Sequence, residues 1–171
     1  SMAHRLLHDG SSKCLTPHGH DEVVTVRLRA LTPMDLGGAN MSASFARAKG
    51  AWHGWIDGWV DHALQLGAGD PLLAYFREHE PEQLTRIMVF AGDPTTEALV
   101  IAFFRKLSAL LAADGLFAVE EVTVQETPTN AVTLTAADVG GLNGWSPGAW
   151  ATRADASLND LLPPGAWTPR A

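Results

Sequence analysis

An α+β fold, an antiparallel sheet carrying helices on one face, is the architecture this sequence predicts, on three observations. Residues 22–30 (EVVTVRLRA) alternate apolar and polar side chains, the period of a half-buried strand. Residues 119–126 (VEEVTVQE) and 131–135 (AVTLT) are strand-like and joined by Thr127-Pro128-Thr129-Asn130, residues suited to a turn. The helical periodicity lies between these strand regions, and helices grouped between hairpins pack as one layer on a sheet.

Each element follows from its residues. Residues 1–21 are polar and turn-rich, with a hairpin-like centre at Asp9-Gly10-Ser11-Ser12. In the first strand Val24, Val26 and Leu28 face one way and Thr25, Arg27 and Arg29 the other. Residues 31–40 form a loop containing Pro and Gly. Residues 42–65 read as a long helix, with Phe45, Ala48, Trp52, Trp55 or Ile56, Trp59 and Ala63 in one apolar stripe. A second stripe runs through Ser42, Ala46, Gly50, Gly54 and Gly58. Each mid-helix glycine costs about 1 kcal/mol relative to alanine. Three on one face therefore predict another backbone packed close to them, the alternative being a broken helix.

Asp70-Pro71 is a helix start, with Asp as cap and Pro in the first turn, and Pro81 ends that helix. Residues 87–90 (IMVF) form a short strand. Asp93-Pro94 repeats the cap signal ahead of a strongly amphipathic helix through Leu99, Phe103, Leu107 and Leu111, ending near Gly115. Residues 136–171 have no period but carry Trp145, Trp150 and Trp167. They divide from a 1–135 domain as an extended tail, expected to lie on the body or on a neighbouring subunit.

Composition excludes several functions. A chain of 171 residues holds one domain, or one domain and a tail. Twelve Lys and Arg against nineteen Asp and Glu leave a net charge of −7, which argues against nucleic-acid or anionic-membrane partners. No apolar run approaches the roughly 20 residues that span a bilayer. No basic segment followed by an apolar one opens the chain. Cys14 stands alone, so a cytoplasmic, reducing location is the simplest expectation.

The chemistry concentrates in a few residues. In an extended segment His18 and His20 point to one face and reach one metal together, with His4 or His8 as a third ligand. The alternative is a His-rich surface loop. Cys14 reads as a small buried hydrophobe, as a fourth zinc ligand closing a structural site, or as a reactive thiol. Asp61-His62 ends the long helix, where adjacent residues diverge by about 100° and do not face each other. His53, Asp57 and Asp61 also line one helix face, as a solvated face or a weaker metal candidate. Glu126 shares the apolar face of its strand with Val122 and Val124, so it points inward. A buried carboxylate needs a partner: a structural salt bridge, or a ligand with adjacent N–H donors.

Five short motifs follow one another across residues 3–135. They are Ala3-His4-Arg5-Leu6, the C-x3-H-G-H run from Cys14 to His20, Asp61-His62, Pro94-Thr95-Thr96-Glu97, and Val124-Gln125-Glu126-Thr127. In that order they resemble the 6-pyruvoyl-tetrahydropterin synthase and 6-carboxy-tetrahydropterin synthase family. The resemblance implies the tunnelling fold (T-fold), two helices over a four-stranded antiparallel sheet. Subunits of that fold join edge to edge in an oligomeric barrel, a hexamer or tetramer with active sites at subunit interfaces. It implies zinc on His4, His18 and His20, leaving His8 outside the ligand set. It implies Cys14 as catalytic base, Asp61 and His62 as proton relay, and Glu126 gripping the pterin N–H edge. Thr95, Thr96 and Glu97 would line the same pocket.

The implied substrate is 7,8-dihydroneopterin triphosphate. The three-residue gap between Cys14 and His18 resembles the queuosine-pathway 6-carboxy-5,6,7,8-tetrahydropterin synthase, which releases acetaldehyde and triphosphate. The alternatives are the pyruvoyl synthase, which eliminates triphosphate, and a non-catalytic pterin-binding paralogue. The chain departs from the family pattern at Ser44-Phe45, at Gln65-Leu66 after the Asp-His pair, and at Asp21. Only three residues precede His4, and extra residues stand near 67–90 and in the tail.

Overall fold

The computed structural model describes residues 1–8 and 11–167, so the expected turn centre at Asp9-Gly10 lies outside the described residues. The chain begins with β1 (Met2–His4), a one-turn helix α1 (Ser12–Leu15), β2 (His18–His20) and β3 (Val23–Ala30). Helix α2 (Phe45–Trp55) continues as a π-helical turn (Ile56–Val60) and leads into β4 (Leu64–Gly67). Then come α3 (Pro71–His79), a 3-10 turn (Pro81–Arg86) and β5 (Ile87–Phe90). Helix α4 (Thr96–Ala112), β6 (Phe117–Thr127), β7 (Asn130–Thr135) and α5 (Ala136–Gly140) follow, with 3-10 turns at Ala149–Thr152 and Pro164–Trp167.

The fold is α+β, but its strands form two sheets rather than one four-stranded antiparallel sheet. One is mixed, in the order β2-β1-β4-β5, and the other is the antiparallel β3-β6-β7. The residues around 67–90 account for part of this difference. Three-residue β1 pairs antiparallel with β2 and parallel with β4. The extra residues supply α3 as a crossover, so that β5 lies parallel to β4. Neither sheet closes into a barrel among the described residues.

The helix expected over 42–65 stops at Trp55, and Leu64 and Gln65 belong to β4 instead. The Asp61 N–H reaches back to the Ile56 carbonyl at 2.8 Å, the wider spacing of a π turn. The close packing expected along the glycine stripe is absent. A Cβ placed on Gly50, Gly54 or Gly58 would meet nothing within 4 Å. These glycines weaken the helix without admitting a neighbour from the same chain.

Asp70 caps α3 as its position predicts, accepting from the Leu72 N–H at 2.7 Å. At α4 the cap is Thr95, not Asp93; its hydroxyl accepts from the Ala98 N–H at 3.3 Å. Helix α4 packs on β6 and β7, and its Phe103 and Leu107 are fully buried with Val122 and Val124 of β6. No helix of the described residues is long and apolar enough to cross a membrane.

Residues 141–167 lie on the body and cover the free edge of β5. The Val89 N–H donates to the Leu158 carbonyl at 3.0 Å, and the Ala91 N–H to Pro147 at 2.8 Å. The buried Trp150 indole N–H donates to the Val89 carbonyl at 2.8 Å, and the Asn159 amide to Leu84 and Ile87 carbonyls at 2.7 and 2.8 Å. Lys106 of α4 anchors this segment from below. Its ammonium donates to the Arg153 and Asp155 carbonyls, both at 3.0 Å, and to the Ser157 hydroxyl at 3.2 Å.

Candidate metal centre

Strand register assembles three imidazoles. His4 stands opposite His18 across the β1–β2 pair, and Met2 stands opposite His20. Alternate residues share a face, so His4, His18 and His20 project to the same side of the sheet. Their ligating nitrogens lie within 4.8 Å of one another, and they form the only such group of three among the described residues. The ring centroids are 4.6–5.2 Å apart with steep interplanar angles.

Gly19, between two of the ligands, is required by close approach. A Cβ there would stand 2.9 Å from the Met2 carbonyl oxygen. Gly19→Ala is therefore expected to push β2 off β1 and spread the histidines. Zinc affinity, measured by competition with a chromogenic chelator, should fall about 10- to 100-fold, the range of an outer-shell defect.

The second shell fixes the ring tautomers. His4 Nδ1 lies 3.0 Å from the Pro94 carbonyl, and His18 Nδ1 lies 2.8 Å from the Thr16 carbonyl. Each Nδ1 must donate to its carbonyl, so each Nε2 carries a lone pair. These two Nε2 atoms face each other at 3.1 Å. Two lone pairs that close repel unless a cation or a shared proton stands between them. A tetrahedral zinc with bonds of about 2.0–2.1 Å would hold its nitrogens about 3.3 Å apart, so the donor set fits that ion. Burial holds the His4 pKa below its usual value, with the neighbouring His18 and His20 acting in the same direction. The neutral, ligating form is thereby favoured at neutral pH.

Glu126 closes one side. It sits where β6 slips register against β7, between Gln125 and Thr127. Its Oε1 accepts from the Thr96 hydroxyl at 2.9 Å and lies 4.0 Å from His4 Nε2 and 3.9 Å from His20 Nε2. The expected inward orientation is present, with the side chain only 17% exposed.

The remaining predicted residues divide. Thr96 points to Glu126, whereas Thr95 and Glu97 line an open groove of about 660 Å³ at the first turn of α4, which the three histidines do not line. Cys14 is partly buried in α1, outside the histidine group. The closed four-ligand zinc cage therefore has no support in the geometry. His8 also stands outside that group and pairs with Asp93, whose carboxylate accepts from the His8 N–H at 2.7 Å and faces His8 Nδ1 at 3.0 Å.

Asp61 and His62 do face each other, against the helical expectation. The helix has ended, His62 adopts a left-handed φ of 64°, and its Nδ1 comes 2.9 Å from Asp61 Oδ2. Hydrogen bonds from the Ser1 ammonium and from His62 hold the Asp61 carboxyl below its ordinary range. His62 and His20 line one shallow groove of about 370 Å³ with Gly19 and Asp21. His53 and Asp57 join no such group among the described residues.

Two polar residues beneath the site escape sequence reasoning. Gln65 is paired in register with His4 and is 1% exposed. Burial, reinforced by the charge of Glu126, pushes the Glu22 carboxyl up to about 7. The pairing of β4 with β1 sets Gln65 beside His4, and Glu22, in the turn between β2 and β3, lies near both Gln65 and Glu126.

Residues 1–137 match the family model described as 6-pyruvoyl tetrahydropterin synthase. A Halobacterium salinarum protein named probable 6-carboxy-5,6,7,8-tetrahydropterin synthase is 34% identical over 129 residues, 75% of this chain and 76% of that protein. A Rickettsia bellii 6-carboxy-5,6,7,8-tetrahydropterin synthase is 27% identical over 125 residues, 73% of this chain and 86% of that one. The crystal structure of an uncharacterized protein from Wolinella succinogenes shares the fold. Its TM-score is 0.61 at 20% identity, over 79% of this chain and 92% of that one.

Proposed function

This chain belongs to the 6-pyruvoyl tetrahydropterin synthase family, and we propose that it is a zinc-dependent lyase acting on 7,8-dihydroneopterin triphosphate. The products would be 6-carboxytetrahydropterin, acetaldehyde and triphosphate. The observation that carries this reading is the convergence of His4, His18 and His20, with two rings oriented by backbone carbonyls. The names of the two relatives support the carboxy product over the pyruvoyl one.

Zinc, when bound, would act as a Lewis acid on the hydroxyls of the substrate side chain. The protein groups then have separate tasks. Cys14, as thiolate, would take a carbon-bound proton. Asp61 fixes the Nδ1 side of His62, which leaves His62 Nε2 to exchange that proton with solvent. Glu126 was expected to grip the pterin N–H edge, but it accepts from Thr96 and stands 3.9–4.0 Å from two imidazole nitrogens, so we place it instead at the side-chain end of the substrate. Glu97, in the groove at the first turn of α4, is then the carboxylate we assign to accept from ring N–H groups.

We further propose the T-fold assembly, a cytoplasmic homo-oligomer (hexamer or tetramer) with its sites at subunit interfaces. His62 is 81% exposed, in keeping with work on a site that a second copy completes.

The test is incubation of the zinc-loaded protein with 7,8-dihydroneopterin triphosphate, with products identified by mass. Acetaldehyde together with a 6-carboxypterin is the expected result. A pyruvoyl pterin with triphosphate would reassign the chain to the eliminating enzyme. Tight binding without consumption would make it a pterin-binding relative.

A further inference from the structure

The residues beyond the family match do more than cover β5. Asn143 and Gly144 both have left-handed backbones, with φ of 47° and 78°. The Trp145 N–H closes the turn on the Leu142 carbonyl at 2.9 Å. Two successive left-handed residues define a tight primed turn, and Asn-Gly is the pair that adopts it most readily. The turn is pinned downstream, where the Ala91 N–H reaches Pro147 and the Ser146 hydroxyl donates to the Gly148 carbonyl at 2.9 Å.

This turn holds Leu142 and Trp145 as one wall of the cavity of about 660 Å³ at the first turn of α4. Thr95, Glu97 and Ile101 also line it. The space is an open groove, Glu97 is exposed in it, and its size suits one face of a small flat ligand. The Asp93 carboxylate at its rim is occupied by His8. No hydrogen bond or ion pair to another described residue engages the Glu97 carboxylate. An aromatic wall sharing a cavity with an unengaged carboxylate selects a flat ring with adjacent N–H donors. A purely hydrocarbon ligand would desolvate Glu97 without compensation.

We propose that Trp145 is a specificity-determining residue whose indole face stacks on the fused ring of the substrate while Glu97 accepts from its N–H edge. The assignment rests on the pterin reading above, and it gives the C-terminal segment a part in recognition. Trp145 is 38% exposed, so its replacement leaves the core intact.

The test measures binding of 7,8-dihydroneopterin to the full-length, zinc-loaded protein by calorimetry. Trp145→Ala should weaken binding at least about tenfold, the scale of lost ring stacking, while Trp145→Phe stays within about threefold. Inorganic triphosphate, which has no ring, should bind both variants like the parent. In steady state, Trp145→Ala should raise KM more than it lowers kcat. Equal affinity of the parent and Trp145→Ala would overturn the stacking role and leave the pterin reading standing. Equal weakening in the Ala and Phe variants would also overturn it, because a ring face would then not be what matters. Failure of the parent itself to bind the pterin would overturn both.

Discussion

Cys14→Ala is expected to keep one zinc per protomer and to lose at least about a hundredfold in kcat, the lower end of what a positioned acid–base group supplies. His18→Ala should do the reverse in cause, losing the metal first and activity with it. The difference follows from placement. His18 Nε2 faces His4 Nε2 at 3.1 Å, whereas Cys14 lies outside the group that could share an ion. Removing one of three nitrogen ligands should cost more than the roughly 10- to 100-fold of an outer-shell change. Elemental analysis of the two purified variants beside their turnover decides the matter. Zinc lost from Cys14→Ala would make the thiol a ligand, and full activity in that variant would remove it from the mechanism.

The second large effect is on stability. Lys106 is fully buried, with its ammonium 6.0 Å from the Trp55 ring and 5.6 Å from the Trp150 ring. Its pKa is lowered from 10.5 to about 8, first by burial and next by the nearby Arg153 charge, against the pull of Asp155. Burial would raise the Asp155 carboxyl, but hydrogen bonds from Ser157 and the charges of Lys106 and Arg153 bring it below its ordinary value. Lys106→Ala removes the donor to two carbonyls and leaves Asp155 facing a void. The expected loss is about 3–5 kcal/mol in chemical denaturation at pH 7, the cost of breaking a buried pair from one side.

The same group predicts a pH dependence. Below about pH 8 both folded and unfolded chains carry the proton, and burial of the charge costs about 3 kcal/mol relative to a free lysine. Between pH 8 and 10.5 the unfolded chain holds more protons, so this contribution raises stability as pH rises. Lys106→Met, which keeps the volume and removes the titration, should lack that rise. A parent whose stability difference from Lys106→Met stays flat from pH 7 to 10 would show that the lysine does not titrate in the fold.

What the residues revealed beforehand was local. The alternation in 22–30 and 119–126 found β3 and β6, because period two survives in a strand with one buried face. His18 and His20 were placed by the same rule. The parallel pair β4 and β5 was only half visible. Leu64–Gly67 continues a helical apolar stripe, and four residues cannot declare a different period. The inward turn of Glu126 was legible from the period of two in its strand, but its partner Thr96 comes from α4, thirty residues away, and was not. Lys106 did leave a signal, since it falls on the helical face of Leu99, Phe103 and Leu110, where an ammonium demands a partner. That partner is some fifty residues away in a segment without periodicity, so only the folded chain could supply it.

The covering of β5 constrains how copies of this chain meet. The Val89 and Ala91 amides and the Ile87 carbonyl are already spoken for by the chain's own C-terminal residues. A strand from elsewhere finds no vacant rungs along that margin, so growth by sheet extension must proceed through β2 or through the rims of the three-stranded sheet. A relative lacking this segment would present a bare margin instead.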